Sequence, residues 1–384
     1  MGDLLRRYWQ PVGTAVELDK DPVQMIRLMG EDLTLFRSAA GEYGLIGDRC
    51  THRCMSMEYG IPDNRGLRCA YHGWLFGVDG KCLEQPFEDR MDPKSTLKAK
   101  TPIKAYPVKE LGGLIFTYLG PLPAPLLPRW DVLVREDLDR AVAIHELPCN
   151  WLQCMDNAAD PMHFEYLHGE LGNYTLQKQS KPPAMVPAPH IKIEFDVFKF
   201  GIMKRRLLEG EPEDVDDWTT GHPLLFPNIL AVGVEAAPTL QFRVPVDDTN
   251  TIQFAYRCST RNSGAGPKPM VVKRPDLFDA DGKILANTIP AQDMVGWVGQ
   301  GPVTDRTVEH LGRSDEGVIL YRKLLEEQMD RIARGEDPMG IIRERRENEP
   351  SINLRREITR LQTFELQYED TFDSLQRMAE KPET

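Results

Sequence analysis

The sequence predicts an α+β chain: a β-rich first third, a break, and a longer region mixing antiparallel strands with helices. Three observations carry this. Residues 10–125 hold short apolar runs parted by turn residues. A Pro-rich strip, Pro121-Leu122-Pro123-Ala124-Pro125 with Pro128, then interrupts regular structure. Beyond it, helix-spaced and alternating apolar patterns follow one another. One domain is therefore expected over residues 1–125 and a second over 126–384, in keeping with roughly 150 residues per domain.

In the first region, strands are expected at Gln24–Leu28, Asp32–Phe36, Tyr43–Ile46 and Leu114–Tyr118, bounded by Gly30-Glu31-Asp32, Ala40-Gly41-Glu42 and Gly112-Gly113. In the second, a helix is expected over Trp151–His168 and strands over Ile191–Phe200 and Gln241–Arg257, with loops over 261–290. Ser314–Arg334 has an N-cap candidate, acids in the first turn (Asp315, Glu316) and Gly335 where the chain leaves the helix. Val318, Leu324, Leu325, Met329 and Ile332 form its apolar stripe. The charged tail from 341 reads as a solvated helix with a frayed end.

The charge balance excludes some classes. Lys and Arg total 47 against 59 Asp and Glu, a formal net charge of −12, whereas duplex binding asks for a dominant basic face. The most apolar stretch, 223–241, is broken by Pro223, Pro227, Glu235 and Pro238, so no membrane span is expected. No basic-then-apolar leader opens the chain. A cytoplasmic protein with reduced cysteines is expected, and there clustered Cys and His read as metal ligands before disulfides.

Cys50-Thr51-His52 and Cys69-Ala70-Tyr71-His72 each pair a thiol with an imidazole, sixteen residues apart. Zinc fingers usually segregate the two ligand types. Alternation suits a [2Fe-2S] centre with two thiolates on one iron and two imidazoles on the other; a zinc site or a set of core Cys and His is the other reading. Gly73, Gly77 and Gly80 would keep the backbone close to the cluster. Cys54 and Cys82 fall outside the pattern and read as structural.

A second constellation runs Asp156-Asn157-Ala158-Ala159-Asp160-Pro161-Met162-His163-Phe164-Glu165-Tyr166-Leu167-His168. On an ideal α-helix at about 100° per residue, His163 and His168 lie roughly 140° apart. To share a metal, the helix between them must widen, as a π-type segment does. Two His and a carboxylate on one face of an iron leave positions open for O₂. His145, His190, His222 and His310 lack such a setting and read as structural.

The Cys/His pairs, with Tyr71-His72-Gly73-Trp74 and Phe76…Asp79-Gly80, resemble the Rieske domain of the Rieske non-haem iron oxygenases. The second constellation resembles the mononuclear iron motif of the same family, and Gly299-Gln300-Gly301-Pro302…Asp305-Arg306-Thr307…Glu309-His310-Leu311-Gly312…Asp315 resembles its phthalate dioxygenase branch. The resemblance implies an all-β Rieske domain followed by a helix-grip (START-like) catalytic domain with an antiparallel sheet. It implies Cys50, His52, Cys69 and His72 as cluster ligands, and His163, His168 and Asp293 as ligands of a mononuclear Fe(II). It implies Asp160 as the bridge to a Rieske histidine of a neighbouring subunit, with Asn157 close to the iron. Against the family pattern, the chain starts almost at the first Rieske strand, so the upstream helical segment is expected to be missing or truncated.

The implied activity is that of a terminal oxygenase component. It would use O₂, with electrons from a separate NAD(P)H-dependent reductase of flavin or ferredoxin type, to hydroxylate an aromatic, carboxylated substrate. O-demethylation with formaldehyde release is the alternative within the family, and a Rieske electron carrier with a ligand-binding domain is the alternative outside enzymes. A homotrimer or stacked hexamer is implied. An aromatic acid would call for a cation in an apolar pocket; of Lys204-Arg205-Arg206 and Arg243 on expected strands, Arg206 and Arg243 are the chosen candidates.

Overall fold

The turn signals of the N-terminal third become strand boundaries in the computed structural model, which describes residues 2–183, 188–261, 266–286 and 288–354. The chain divides into two compact units, the first ending at Leu127 and the second beginning at Pro128. After the short helix Gly2–Leu5, the first unit is built on three small antiparallel sheets. One orders Gln10–Thr14, Leu114–Thr117 and Val108–Leu111; one orders Val23–Leu28, Glu31–Arg37, Tyr43–Gly47 and Ala105–Tyr106. The third orders Ile61–Asp63, Gly66–Arg68, Leu75–Phe76 and Cys82–Glu84. Phe36, Ile46, Met57, Leu67, Trp74 and Phe76 are buried together with Cys50, Cys69 and Cys82, so the thiols are part of a closed apolar core.

The second unit is organised by an eight-stranded sheet in the order His190–Phe198, Gly201–Leu208, His222–Leu225, Ile229–Val232, Thr239–Pro245, Thr251–Thr260, Leu138–Leu147 and Val271–Lys273. All its pairings are antiparallel except the last, where Val271–Lys273 runs parallel to Leu138–Leu147. The expected strand over 241–257 is two strands joined by a turn in which Asp247 Oδ1 accepts from Thr249 and Asn250.

Five helical segments of this unit carry its candidate ligands or pack beside them. The expected helix over Trp151–His168 stops at Ala159, because Pro161 has no N–H to give and pushes Asp160 into extended backbone (φ −92°, ψ 119°). A π-helix, Phe164–Glu170, follows, and then an α-helix, Leu171–Lys178. Ile289–Val298 is capped by Thr288, whose hydroxyl accepts from the Ala291 amide. Glu316–Ala333 matches the predicted long helix; Ser314 falls in a 3₁₀ turn before it, and Gly335 leaves it at φ 79°. Gly317 lets this helix approach the end of Trp151–Ala159 so closely that a Cβ would lie 2.3 Å from the Ala159 carbonyl oxygen. The helix expected from 341 is only a 3₁₀ turn, Arg345–Glu347, within the described residues; positions 355–384 lie outside them. No helix among the described residues is long and apolar enough to cross a membrane.

Candidate metal centres

The two Cys/His pairs of the first unit sit on turns of the same design. In each, the cysteine amide donates to the carbonyl five residues on: Cys50 to Met55 at 2.9 Å and Cys69 to Trp74 at 2.8 Å. In each, the amide four residues on donates back to the cysteine carbonyl: Cys54 to Cys50 at 2.9 Å and Gly73 to Cys69 at 3.0 Å. The donor in both turns has positive φ, 57° at Cys54 and 76° at Gly73. Cys54 therefore holds in the first turn the place that glycine holds in the second. At Gly80 a Cβ would lie 2.2 Å from the Ile103 carbonyl oxygen, so this glycine lets the segment at Ile103 come close.

Both cysteines are buried and both histidines exposed. The His52 and His72 rings meet edge to face with centroids 4.5 Å apart, and His52 stacks on Trp74 at 4.5 Å and 10°. Burial, with the Cys69 sulfur alongside, pushes the Cys50 thiol up to about 11. Arg68 braces the second turn, donating to the Gly73 carbonyl at 2.8 Å while pairing with Asp63 and Glu84.

In the second unit the π-helix answers the angular problem posed by the sequence. It carries His168, with His163 at its N-cap; the imidazole centroids lie 5.1 Å apart and 73° inclined. Asp160 begins this segment: its Oδ1 accepts from the Met162 amide at 2.6 Å and its Oδ2 from the His163 amide at 3.2 Å. From helix Ile289–Val298, Asp293 Oδ1 lies 3.2 Å from His168 Nε2 and 3.5 Å from His163 Nε2. The neighbouring Gln292 Oε1 lies 3.0 Å from His168 Nδ1, which fixes the proton there and turns the Nε2 lone pair toward Asp293.

Three potential ligand atoms, one from each of His163, His168 and Asp293, lie within 4.8 Å of one another. Among the described residues, Asp293 Oδ1 and His163 Nδ1 are buried with no hydrogen-bond partner, and a bound ion is one group that would satisfy both. Burial would raise the Asp293 carboxyl, but His168, His163 and Arg243 hold it below the usual range. Burial keeps His163 low, whereas His168 is raised against its burial by Asp293 and Gln292. Two imidazoles with an ionised carboxylate are the donor set that a mononuclear Fe(II) takes.

The group opens on a cavity of about 160 Å³ whose lining includes Asn157, Lys204, Arg206, Leu230, Val232 and Ile289. Of the sequence candidates, Asn157 and Arg206 line this cavity and Arg243 does not. Arg243 lies over the Trp297 ring, 5.4 Å from its centroid, and donates to the Gln241 carbonyl and side chain. Sequence reading passed over Gln292 and did not select Lys204. Strand alternation was the available signal for Lys204: it faces inward with Arg206, while Arg205 between them pairs outward with Asp196.

Comparison with known proteins agrees with this geometry. A family model described as Rieske [2Fe-2S] domain matches residues 8–107, and one described as LigXa C-terminal domain like matches 281–359. The chain is 40% identical over 356 residues to the 5,5'-dehydrodivanillate O-demethylase oxygenase subunit of Sphingobium sp., covering 92% of this chain and 81% of that one. It is 34% identical over 363 residues to the phenoxybenzoate dioxygenase subunit alpha of Ectopseudomonas oleovorans, covering 88% and 84%. Among solved structures, Pseudomonas putida CBB5 NdmA with caffeine superposes with TM-score 0.62 at 21% identity, covering 86% of this chain and 93% of that one. The expected α+β order, a β-rich Rieske domain before a sheet-rich catalytic domain, holds. The chain belongs to the Rieske non-haem iron oxygenases, as an oxygenase alpha subunit with a [2Fe-2S] cluster and a mononuclear iron.

Proposed function

We propose that this subunit hydroxylates a carboxylated aromatic compound with O₂, taking electrons from a separate NAD(P)H-dependent reductase of flavin or ferredoxin type. The observation that carries the reading is the buried His163–His168–Asp293 group opening on a cavity with cationic and apolar walls. An electron carrier alone would have no use for this second ligand group. Among neighbouring structures, the oxygenase of carbazole 1,9a-dioxygenase is seen in complex with its ferredoxin, which supports a protein electron donor.

In this reading Cys50, His52, Cys69 and His72 hold the cluster, and His163, His168 and Asp293 hold the iron. Together the two groups supply single-electron transfer and O₂ activation. The protein's own residues do the rest. Gln292 holds the proton on His168 Nδ1, so that Nε2 stays a lone-pair donor. Asp160 caps the π-segment and sets His163, and the His163 imidazole holds its carboxyl below the usual range against the effect of burial. Its place beside His163 supports a role as the link to a Rieske histidine of a neighbouring subunit, in a homotrimer or stacked hexamer. Asn157 and Arg206 line the substrate space, and Leu230, Val232 and Ile289 exclude water from it. The five cysteines outside the cluster form no disulfide among the described residues, which suits the reducing cytoplasm.

Removal of a methyl group from a methoxyarene is the second reading, favoured by the 40% identity to an O-demethylase subunit. Substrate-dependent O₂ uptake across a panel of aromatic acids, with a surrogate reductase, tests the activity. Formaldehyde release in proportion to O₂ marks demethylation, and its absence marks ring hydroxylation. A panel with no stimulated uptake would reject both.

A further inference from the structure

Two cations face the cavity from strand Gly201–Leu208, and they are not equivalent. Arg206 donates from Nε to Asp217 Oδ2 at 2.8 Å, and its guanidinium lies 4.5 Å from the centroid of Phe164. Asp217 also lies 2.7 Å from His222 Nε2, so the Arg206 charge is matched within the wall. Lys204 is buried as deeply, each being 7% exposed. Among the described residues its ammonium makes one hydrogen bond, to the Ala158 carbonyl at 2.9 Å. An ammonium carries three donors. Asp160 and Asp293 act on it only through space: Asp160 accepts from the Met162 and His163 amides, and Asp293 lies against the two imidazoles. Burial, with repulsion from Arg206, pulls the amine down to about 8.

A buried cation with unmet donors is costly unless an anion completes it. We propose that Lys204 is the specificity-determining residue of this cavity: its ammonium binds the carboxylate of the aromatic substrate, while Arg206 stays committed to Asp217. The proposal rests on the oxygenase reading and names the residue that selects an acid over a neutral ring. The competing role is structural, because a lysine on the Ala158 carbonyl also caps the C-terminus of helix Trp151–Ala159.

Lys204→Gln separates the two roles, since a glutamine amide can still donate to Ala158 but carries no charge. The iron-loaded protein and its Lys204→Gln and Lys204→Arg variants are titrated calorimetrically with benzoate and with benzamide. The wild type is expected to bind benzoate at least about tenfold more tightly than benzamide, the scale of one charge-assisted hydrogen bond. Lys204→Gln should lose that preference, with benzoate affinity falling far more than benzamide affinity, and Lys204→Arg should restore most of it. A benzoate preference that survives in Lys204→Gln, a wild type without one, or an equal loss for both probes would overturn the proposal. O₂ uptake read on the same samples keeps the two readings apart. Lysine-dependent benzoate binding with no aromatic-stimulated uptake sinks the oxygenase reading alone. Uptake on neutral aromatics without the preference sinks the role of Lys204 alone.

Discussion

His168 Nδ1 lies 3.0 Å from Gln292 Oε1, and Gln292 directly precedes Asp293 on one helix, so a single turn supplies both a ligand candidate and the partner that orients another. Loss of such a partner typically weakens metal binding by about 10–100-fold. Gln292→Leu is expected to show that loss in iron titrations against a competing chelator. Gln292→Glu, which keeps the acceptor, should retain most of the affinity. Unchanged affinity in Gln292→Leu would show that the His168 ring is held by packing instead.

Cys54 occupies a positive-φ position that its sister turn fills with Gly73. A side chain in that region costs roughly 1–2 kcal/mol, offset in part by the greater freedom glycine has when unfolded. Cys54→Gly is therefore expected to leave stability unchanged or raise it by up to about 1 kcal/mol. Gly73→Ala should lower it, because a Cβ there also lies 3.1 Å from Pro86 Cγ. Chemical denaturation followed by the cluster's visible circular dichroism reads both.

Arg322 joins three elements of the second unit. It donates to Asp156 at 2.8 and 3.1 Å and to Glu309 at 2.6 and 3.0 Å, while Arg306 reaches the same Asp156 at 3.1 Å. The pairs are half-buried and bidentate, so breaking them should cost more than a surface ion pair. Arg322→Ala is expected to destabilise the protein by about 2–3 kcal/mol, measured as a shift in the denaturation midpoint. An effect below about 0.5 kcal/mol would class it with ordinary exposed pairs.

Glu31 supplies a pH test. Burial raises its carboxyl, but Lys104, Tyr106 and Arg6, at 2.7, 2.7 and 2.6 Å, outweigh burial and hold it below its ordinary value. A carboxyl depressed in the folded state contributes stability above its unfolded pKa of about 4.3 and loses that contribution as pH falls through the folded value. The stability gap between wild type and Glu31→Gln should be full near about pH 7 and shrink below about pH 4.3. A gap that does not change with pH would mean that the carboxylate charge contributes nothing.

What could be read from the sequence was what is local. The two Cys/His turns are short, and their ligand alternation is written in a few neighbouring positions each. The five-residue gap between His163 and His168 demanded a widened helix, and the π-segment Phe164–Glu170 supplies it. Pro161 marked the end of the preceding helix at Ala159, a signal that the long-helix expectation overrode. Pairings between distant elements were not legible. Asp217 claims Arg206 from eleven residues away, Trp297 takes the face of Arg243, and Gln292 meets His168 across 124 positions. Alternation could place Lys204 and Arg206 on one face, but only the partner of each shows which is already matched.

One chain carries two separate iron centres, and the metal content of a single variant distinguishes them. The reconstituted wild type should hold about three irons per chain, two in the cluster and one at the histidine–carboxylate group. His163→Ala should fall to about two, with the visible spectrum of the cluster unchanged. Three irons retained in His163→Ala, or zinc at the site in the wild type, would rule out a second iron centre at these residues.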